Sequence, residues 1–189
     1  MTDTPFPRLD TAPALDRPDL LAPPVREAVQ RLVDGGLVAS DAVLSAPVDA
    51  DESDTARSVV AYEIPPEQAA NCVVVTGRRD GEERVAALVV LASTRADVNG
   101  VARRTLDVRR CTFMDRPEVA ERTGMEYGGT GPLGVPEGWR VLVDRRVAEA
   151  GPVVIGSGIR ASKVVVDGAL FAGLPGVEVV DGLANDPPA

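Results

Sequence analysis

Glycine dominates one short segment of this chain and constrains its backbone more than any other feature does. Residues 126–134 read Glu-Tyr-Gly-Gly-Thr-Gly-Pro-Leu-Gly, and a second glycine loop follows at residues 156–158, Gly-Ser-Gly. Glycine reaches positive φ and lets backbone approach a ligand closely, whereas Pro132 stiffens the first loop. A strand predicted over residues 139–144 separates the two loops. Spacing alone leaves two interpretations open: opposite walls of a small-molecule pocket, or two tight turns without a ligand.

Length and composition predict one globular domain. The chain has 189 residues, 44% of them hydrophobic and 26% charged, which suffices for a substantial core. No apolar run approaches the roughly 20 residues that cross a bilayer, and residues 1–10 lack the pattern of a signal peptide. Cys72 and Cys111 are the two cysteines and indicate no disulfide framework. We therefore expect a cytoplasmic protein without membrane contact.

The residue inventory excludes several kinds of catalysis. The chain has no histidine, which removes Ser-His-Asp and Cys-His catalysis and any histidine-ligated metal. Lys163 is the single lysine, and arginine is a poor general base. Proton transfer then depends on carboxylates, cysteine, tyrosine, water or the substrate. We expect no metal and no cofactor.

Charge is distributed unevenly. The net charge is −9, which argues against a general nucleic-acid binder such as a DNA-binding protein. The first 70 residues hold 13 acids and five arginines, whereas arginines are frequent between residues 95 and 122. This cluster either holds phosphates locally or forms a solvated face paired with neighbouring acids.

Predicted helices and strands follow one another without a regular order, which indicates an α+β fold. Five prolines in residues 1–23 predict a flexible N-terminal arm, residues 24–184 a single domain, and residues 185–189 a frayed end. Helices are expected over residues 24–34, 55–62, 97–106, 116–123 and 169–174. Strands are expected over residues 42–48, 71–77, 84–92, 110–113, 140–143, 151–155, 163–166 and 177–180. The order lacks regular βαβ alternation, so we expect a mixed sheet.

Three stretches together resemble a known family. They are residues 127–134 (Tyr-Gly-Gly-Thr-Gly-Pro-Leu-Gly), 141–144 (Val-Leu-Val-Asp) and 154–160 (Val-Ile-Gly-Ser-Gly-Ile-Arg). Upstream, residues 54–58, 65–68 and 73–75 fit the same pattern. The chain is similar here, over about residues 43–184, to the YbaK/EbsC family of aminoacyl-tRNA deacylases and prolyl-tRNA synthetase editing domains. The resemblance implies a compact, barrel-like mixed sheet flanked by helices. It also implies hydrolysis of a tRNA mischarged with a small amino acid, bound by its 3′ end.

The resemblance also implies site residues. It assigns catalysis to Asn71, Gly129 and Thr130. It assigns substrate binding to Cys72, Tyr127, Gly128, Gly131, Pro132, Asp144, Gly156, Ser157 and Gly158. Within the arginine cluster, we expect tRNA contacts from Arg103, Arg104, Arg109 and Arg110.

One departure from the family pattern affects the predicted chemistry. The family's deacylases carry a lysine at the position of Asn71, and Lys163 does not match that position. Cys72 is either a nucleophile activated by an arginine or a small buried hydrophobe. Two functions therefore stay open: a trans-acting deacylase, or a non-catalytic relative that binds a small ligand, a tRNA end or a protein partner.

Overall fold

Eleven strands and several short helices make up the part of the chain that the structure describes. The computed structural model describes residues 5–187. Its strands are β1 (Ala12–Pro13), β2 (Leu44–Pro47), β3 (Ala70–Arg79), β4 (Glu82–Leu91), β5 (Arg95–Ala96), β6 (Cys111–Phe113), β7 (Arg140–Asp144), β8 (Pro152–Gly156), β9 (Ser162–Asp167), β10 (Val177–Val180) and β11 (Ala184–Asn185). Its α-helices are α1 (Pro23–Asp34), α2 (Thr55–Ala61), α3 (Arg103–Thr105), α4 (Arg116–Thr123) and α5 (Arg145–Ala148).

Most of the strands belong to two larger sheets. One has the strand order β10-β7-β4-β3-β6, in which β7 pairs in parallel with both β4 and β10 while the other pairs are antiparallel. The other has the order β1-β2-β9-β8 and is antiparallel throughout. A single parallel bridge between Ala69 and Val154 brings β3 and β8 together. The predicted α+β class and mixed sheet are confirmed, although the strands described do not close into a barrel.

The main core fills the space between these two sheets. β-Branched and aliphatic side chains from both sheets meet there, among them Val89, Val143, Ile155 and Val164. Helix α1 closes one side of the core with its buried face, which includes Val25 and Val29. Such non-local burial supplies most of the folding free energy, because isolated short helices and hairpins are marginally stable.

The segment expected to form an arm lies against the domain. Phe6 is 1% exposed and Leu9 is 2% exposed, and both join a buried cluster with residues of the β2-β9-β8 sheet. Ala14 N–H donates to Val43 C=O at 2.8 Å, next to the β1–β2 pairing. The prolines predicted a flexible arm, whereas the described part of this segment forms β1 and two 3-10 helices, Ala14–Asp16 and Pro18–Leu20, and its apolar side chains anchor it. Residues 1–4 of the expected arm lie outside the described residues.

Three local features differ from the elements predicted from the sequence. The helix predicted over residues 97–106 begins as a π-helical turn, Val98–Ala102, because Asp97 accepts hydrogen bonds from Gly100 and Val101 N–H groups. The helix predicted over residues 169–174 is a 3-10 helix, Gly168–Gly173. The C-terminal end pairs β11 with β5, and residues 188–189 are outside the description. Among residues 5–187, no helix has both the length and the hydropathy to cross a bilayer.

Candidate functional site

A cavity of about 900 Å³ opens where the two larger sheets meet. This volume falls within the range typical of small-molecule sites. Its wall is formed by strands β3, β8 and β9, the start of α2, the β6–α4 junction and the first glycine loop. The lining residues are Asp54, Thr55, Ser58, Ile64, Ala69, Ala70, Asn71, Cys72, Val73, Val74, Phe113, Met114, Asp115, Arg116, Pro117, Val119, Tyr127, Gly128, Thr130, Val154, Ile155, Gly156 and Lys163.

The two glycine loops contact each other directly rather than facing each other across a gap. Gly158 N–H donates to Gly129 C=O at 2.7 Å. A Cβ atom placed on Gly131 would lie 2.0 Å from the carbonyl oxygen of Gly156. A Cβ atom on Gly156 would lie 2.2 Å from the carbonyl oxygen of Thr130. Glycine is therefore required here for close backbone packing, and the joined loops form one continuous part of the cavity wall.

The structure brings six of the predicted catalytic and substrate-binding residues to the cavity. These are Asn71, Cys72, Tyr127, Gly128, Thr130 and Gly156. The other six, which do not line it, are Gly129, Gly131, Pro132, Asp144, Ser157 and Gly158. The first set holds the side chains and backbone that a bound molecule can touch. In the second set, Gly129, Gly131 and Gly158 belong to the packed glycine loops.

Asp144 and Ser157 have structural partners instead. Asp144 is 1% exposed, and its carboxylate accepts hydrogen bonds from Arg146 N–H at 3.0 Å and Ala184 N–H at 2.8 Å. It thereby starts α5 and holds the C-terminal segment. Ser157 Oγ lies 2.6 Å from Ser162 Oγ and accepts from Ile159 N–H at 3.2 Å, which fixes the second loop.

Asn71 and Cys72 lie side by side near the start of β3. Asn71 pairs with Val90 and Cys72 with Val89 of β4. Burial raises the pKa of the Cys72 thiol to about 12, so the thiol stays protonated near neutral pH. A protonated thiol is a weak nucleophile. The surroundings of Cys72 therefore favour the small hydrophobe over the activated nucleophile.

Lys163 is the functional candidate that sequence reasoning missed. It lies on β9, paired with Gly156 of β8 and Ala46 of β2, and is 6% exposed. Its Nζ donates a hydrogen bond to the backbone carbonyl of Ser53. Burial lowers its pKa to about 8, with Asp54 opposing this shift and Arg160 adding to it. The available signal was a lone lysine inside an apolar strand just after the second glycine loop.

The mouth of the cavity presents aromatic rings and arginines. Phe113 is 60% exposed and Tyr127 is 48% exposed. The Arg116 guanidinium lies 4.8 Å from the centroid of the Tyr127 ring and donates a hydrogen bond to its hydroxyl, and Arg160 lies 5.9 Å from the same centroid. Within residues 5–187, neither Arg116 nor Arg160 forms an ion pair with a carboxylate. Their charges are available to a ligand at the mouth.

The four arginines predicted to bind tRNA lie elsewhere. Arg103 and Arg104 form most of α3, and Arg103 Nε donates to Asn99 C=O at 2.9 Å. Arg109 and Arg110 precede β6, and Arg109 approaches Asp80 at 3.7 Å. None of the four lines the cavity. Across the described part of the chain, no three Cys, Asp or Glu side chains group closely enough to hold a metal ion.

The family model for the aminoacyl-tRNA editing domain matches residues 50–173, well over half of the chain. No curated protein matches it.

Several solved structures share the fold. A candidate trans-editing enzyme for prolyl-tRNA synthetase is 20% identical, with a TM-score of 0.69 over 88% of this chain and 99% of that one. A scaffold from a computational epitope-grafting study is 21% identical, with a TM-score of 0.68 over 88% and 100%. A hypothetical protein is 17% identical, with a TM-score of 0.69 over 84% and 99%. These likenesses support the fold.

The matched segment and the cavity coincide. Every residue that lines the cavity falls within residues 50–173. The resemblance first noted on the glycine loops is thus confirmed by an independent match: this chain belongs to the family of aminoacyl-tRNA editing domains.

Proposed function

We propose that this protein is an aminoacyl-tRNA deacylase that acts in trans on a tRNA mischarged with a small amino acid. The observation that carries the proposal is the coincidence of the cavity with the editing-domain segment. The volume of about 900 Å³ accommodates an amino acid together with part of the terminal nucleoside.

The reaction needs little from the protein because the ester is already activated. Water adds to the ester carbonyl carbon, the bond to the ribose oxygen breaks, and that oxygen gains a proton. Hydrogen-bond donors aimed at the developing oxyanion lower the barrier. Asn71 and Thr130, which line the cavity, offer such donors, and the carboxylates of Asp54 and Asp115 offer a route for the proton. The protonated state of Cys72 favours direct attack by water over a covalent intermediate.

The tRNA end is proposed to enter at the aromatic and basic mouth. Exposed aromatic rings stack on bases, and unpaired arginines bind phosphates or stack themselves. Tyr127, Phe113 and Arg116 line the cavity, and Arg160 lies beside the Tyr127 ring, so both kinds of contact are within reach. The role expected of Arg103, Arg104, Arg109 and Arg110 stays a prediction, and their positions suit contacts farther along the tRNA.

Selectivity for a small amino acid is proposed to rest on apolar packing. Ile64, Met114 and Ile155 line the cavity and are buried. Since one methylene changes binding by only about 1–3 kcal/mol, exclusion of larger amino acids must be steric. Met114→Ala should then raise hydrolysis of a leucyl ester relative to an alanyl ester by roughly 10-fold. Unchanged selectivity in a folded variant would contradict this account.

The direct test is a deacylation assay with tRNAs charged with alanine, cysteine, serine or proline. Turnover of one of them by the wild type is the expected result. Absence of turnover on all four, with the fold intact, would favour the second candidate, a non-catalytic module. The residue that favours this second candidate is Asn71, where the family's deacylases carry lysine. Asn71→Lys belongs in the same assay, because a large gain of hydrolysis by this variant would indicate a decayed site.

A further inference from the structure

The only lysine of the chain carries its ammonium into the wall of the cavity. Lys163 is 6% exposed, and no carboxylate within residues 5–187 forms an ion pair with it. Within the described residues, Lys163 Nζ donates one hydrogen bond, to the backbone carbonyl of Ser53. An ammonium has three donors, and burying it without an ion pair is costly, although the nearby Asp54 carboxylate partly offsets this cost. A ligand that supplies negative charge would offset this cost.

The surroundings of Lys163 hold further donors. The hydroxyl of Ser53 is buried and has no hydrogen-bond partner within the described residues. Both the Ser53 hydroxyl and the Arg160 guanidinium lie close to Gly128. A Cβ atom placed on Gly128 would lie 3.6 Å from Ser53 Oγ and 2.5 Å from Arg160 Nη1. The Lys163 ammonium, hydrogen-bonded to the Ser53 carbonyl, therefore lies near the free Ser53 hydroxyl and the Arg160 guanidinium, both of which lie close to Gly128 in the cavity wall. Such a group of donors suits an anionic oxygen.

Lys163 and Asn71 approach the cavity from different sheets. Asn71 is on β3 of the five-stranded sheet, and Lys163 is on β9 of the four-stranded sheet. The bridge between Ala69 and Val154 brings these sheets together beside the cavity. A cation from β9 therefore reaches the same cavity as the uncharged Asn71 side chain.

We propose that Lys163 is the cationic substrate-binding residue of this pocket and donates a hydrogen bond to a negatively charged oxygen of the aminoacylated nucleotide. This inference rests on the proposed deacylase function. The anionic oxygen has two possible sources: a phosphate of the tRNA end, or the oxyanion that forms at the ester carbonyl. Both need the protonated amine.

The charge state of Lys163 predicts how binding depends on pH. Its pKa is lowered to about 8 by burial, an effect that Asp54 opposes and Arg160 strengthens. Cys72, Asp115, Arg116 and Tyr127 are the other ionisable groups around the cavity. Because the ammonium is the binding form, activity should fall as the pH rises through about 8. Lys163→Arg, which stays charged, should shift this fall to higher pH.

The first experiment compares hydrolysis by full-length variants. Lys163→Met should lower kcat/KM by about 10- to 100-fold, the value of a lost charge-assisted hydrogen bond. Arg26→Met, which removes one exposed positive charge from α1, should leave kcat/KM unchanged. The double variant Asn71→Lys with Lys163→Met should recover part of the loss by supplying the cation from β3. Full activity of Lys163→Met in the presence of wild-type turnover would overturn the inference while leaving the proposed function intact.

A phosphate-free substrate separates the two sources of negative charge. If Lys163 binds the oxyanion, Lys163→Met lowers kcat on 3′-O-alanyl adenosine as well as on alanyl-tRNA. If Lys163 binds a phosphate, the variant raises KM on alanyl-tRNA and leaves 3′-O-alanyl adenosine unaffected. Either pattern supports the inference, whereas no effect on either substrate contradicts it.

A spectroscopic measurement tests Lys163 without hydrolysis. Since the chain has one lysine, ¹³Cε-lysine labelling gives one side-chain NMR signal. We expect it to titrate near pH 8 and to shift when adenosine 5′-monophosphate or uncharged tRNA is added below that pH. If wild-type hydrolysis is absent but this signal shifts, the proposed function fails and anion binding by Lys163 stands. A signal that titrates near 10.5 and does not respond to either probe would overturn the inference.

Discussion

Substitution of Gly131 by alanine tests whether the glycine loops must touch. The added Cβ atom would lie 2.0 Å from the carbonyl oxygen of Gly156, whereas ordinary van der Waals contact begins at 3.4 Å. The obstacle is backbone and not a side chain that can rotate away. The loops must therefore separate by more than an ångström, which weakens the hydrogen bond between Gly158 N–H and Gly129 C=O.

The expected cost follows from this geometry. Overpacking of this kind destabilises a protein by about 1–3 kcal/mol. For a domain of this size, each kcal/mol lowers Tm by about 2–4 °C, so Gly131→Ala should lower Tm by about 2–12 °C. Hydrolysis should fall as well, because Thr130 and Gly156 line the cavity and would move with the loops.

Gly173→Ala is the matched control. Gly173 ends the 3-10 helix Gly168–Gly173, and a Cβ atom there meets nothing within 4 Å. Replacing it should be neutral or stabilising by up to about 1 kcal/mol through the unfolded state. Thermal denaturation of both variants decides the matter. Equal Tm values for Gly131→Ala and Gly173→Ala would refute the argument that close backbone packing requires glycine at position 131.

Three further predictions concern other residues of the site. Lys163→Met should be more stable relative to the wild type at pH 7 than at pH 10.5, because the lowered lysine pKa makes protonated Lys163 costly in the folded state. The pH-dependent part of this difference in unfolding free energy is on the order of 3 kcal/mol, is fully present below about pH 8 and vanishes near pH 10.5. Denaturant unfolding at several pH values measures it. Cys72 should react with iodoacetamide at pH 8 far more slowly than a free thiol, because burial keeps it protonated; rapid alkylation in the folded protein would contradict the assigned environment. The double variant Arg116→Gln with Arg160→Gln should bind uncharged tRNA more weakly, and with less salt dependence, than the double variant Arg103→Gln with Arg104→Gln. Filter binding at two salt concentrations distinguishes the two double variants.

Local features of the site could be predicted from the sequence because they depend on neighbouring residues. Glycines at positions 128, 129 and 131 predicted a loop with unusual backbone freedom, and in the structure Gly129 and Gly131 use it to pack against the backbone of the second glycine loop. The apolar run before Gly77 predicted β3, and the apolar period of α1 predicted the helix that covers the core. The missing histidines restricted the chemistry before any fold was known.

Other features depended on contacts between segments far apart in the chain. The N-terminal residues looked like an arm because proline spacing is local, whereas the burial of Phe6 depends on a sheet formed by later residues. The family resemblance assigned Asp144 to the pocket, but its carboxylate accepts a hydrogen bond from Ala184 N–H instead.

The sequence by itself determined the family, the glycine loops and the absence of a charge at position 71. Only the tertiary structure decided which groups share the cavity. Lys163 and Asn71 meet there because the bridge between Ala69 and Val154 joins two sheets, and alternation along either strand carries no information about that junction. Strand periodicity specifies which face a side chain takes, whereas the packing of one sheet against another specifies what that face meets.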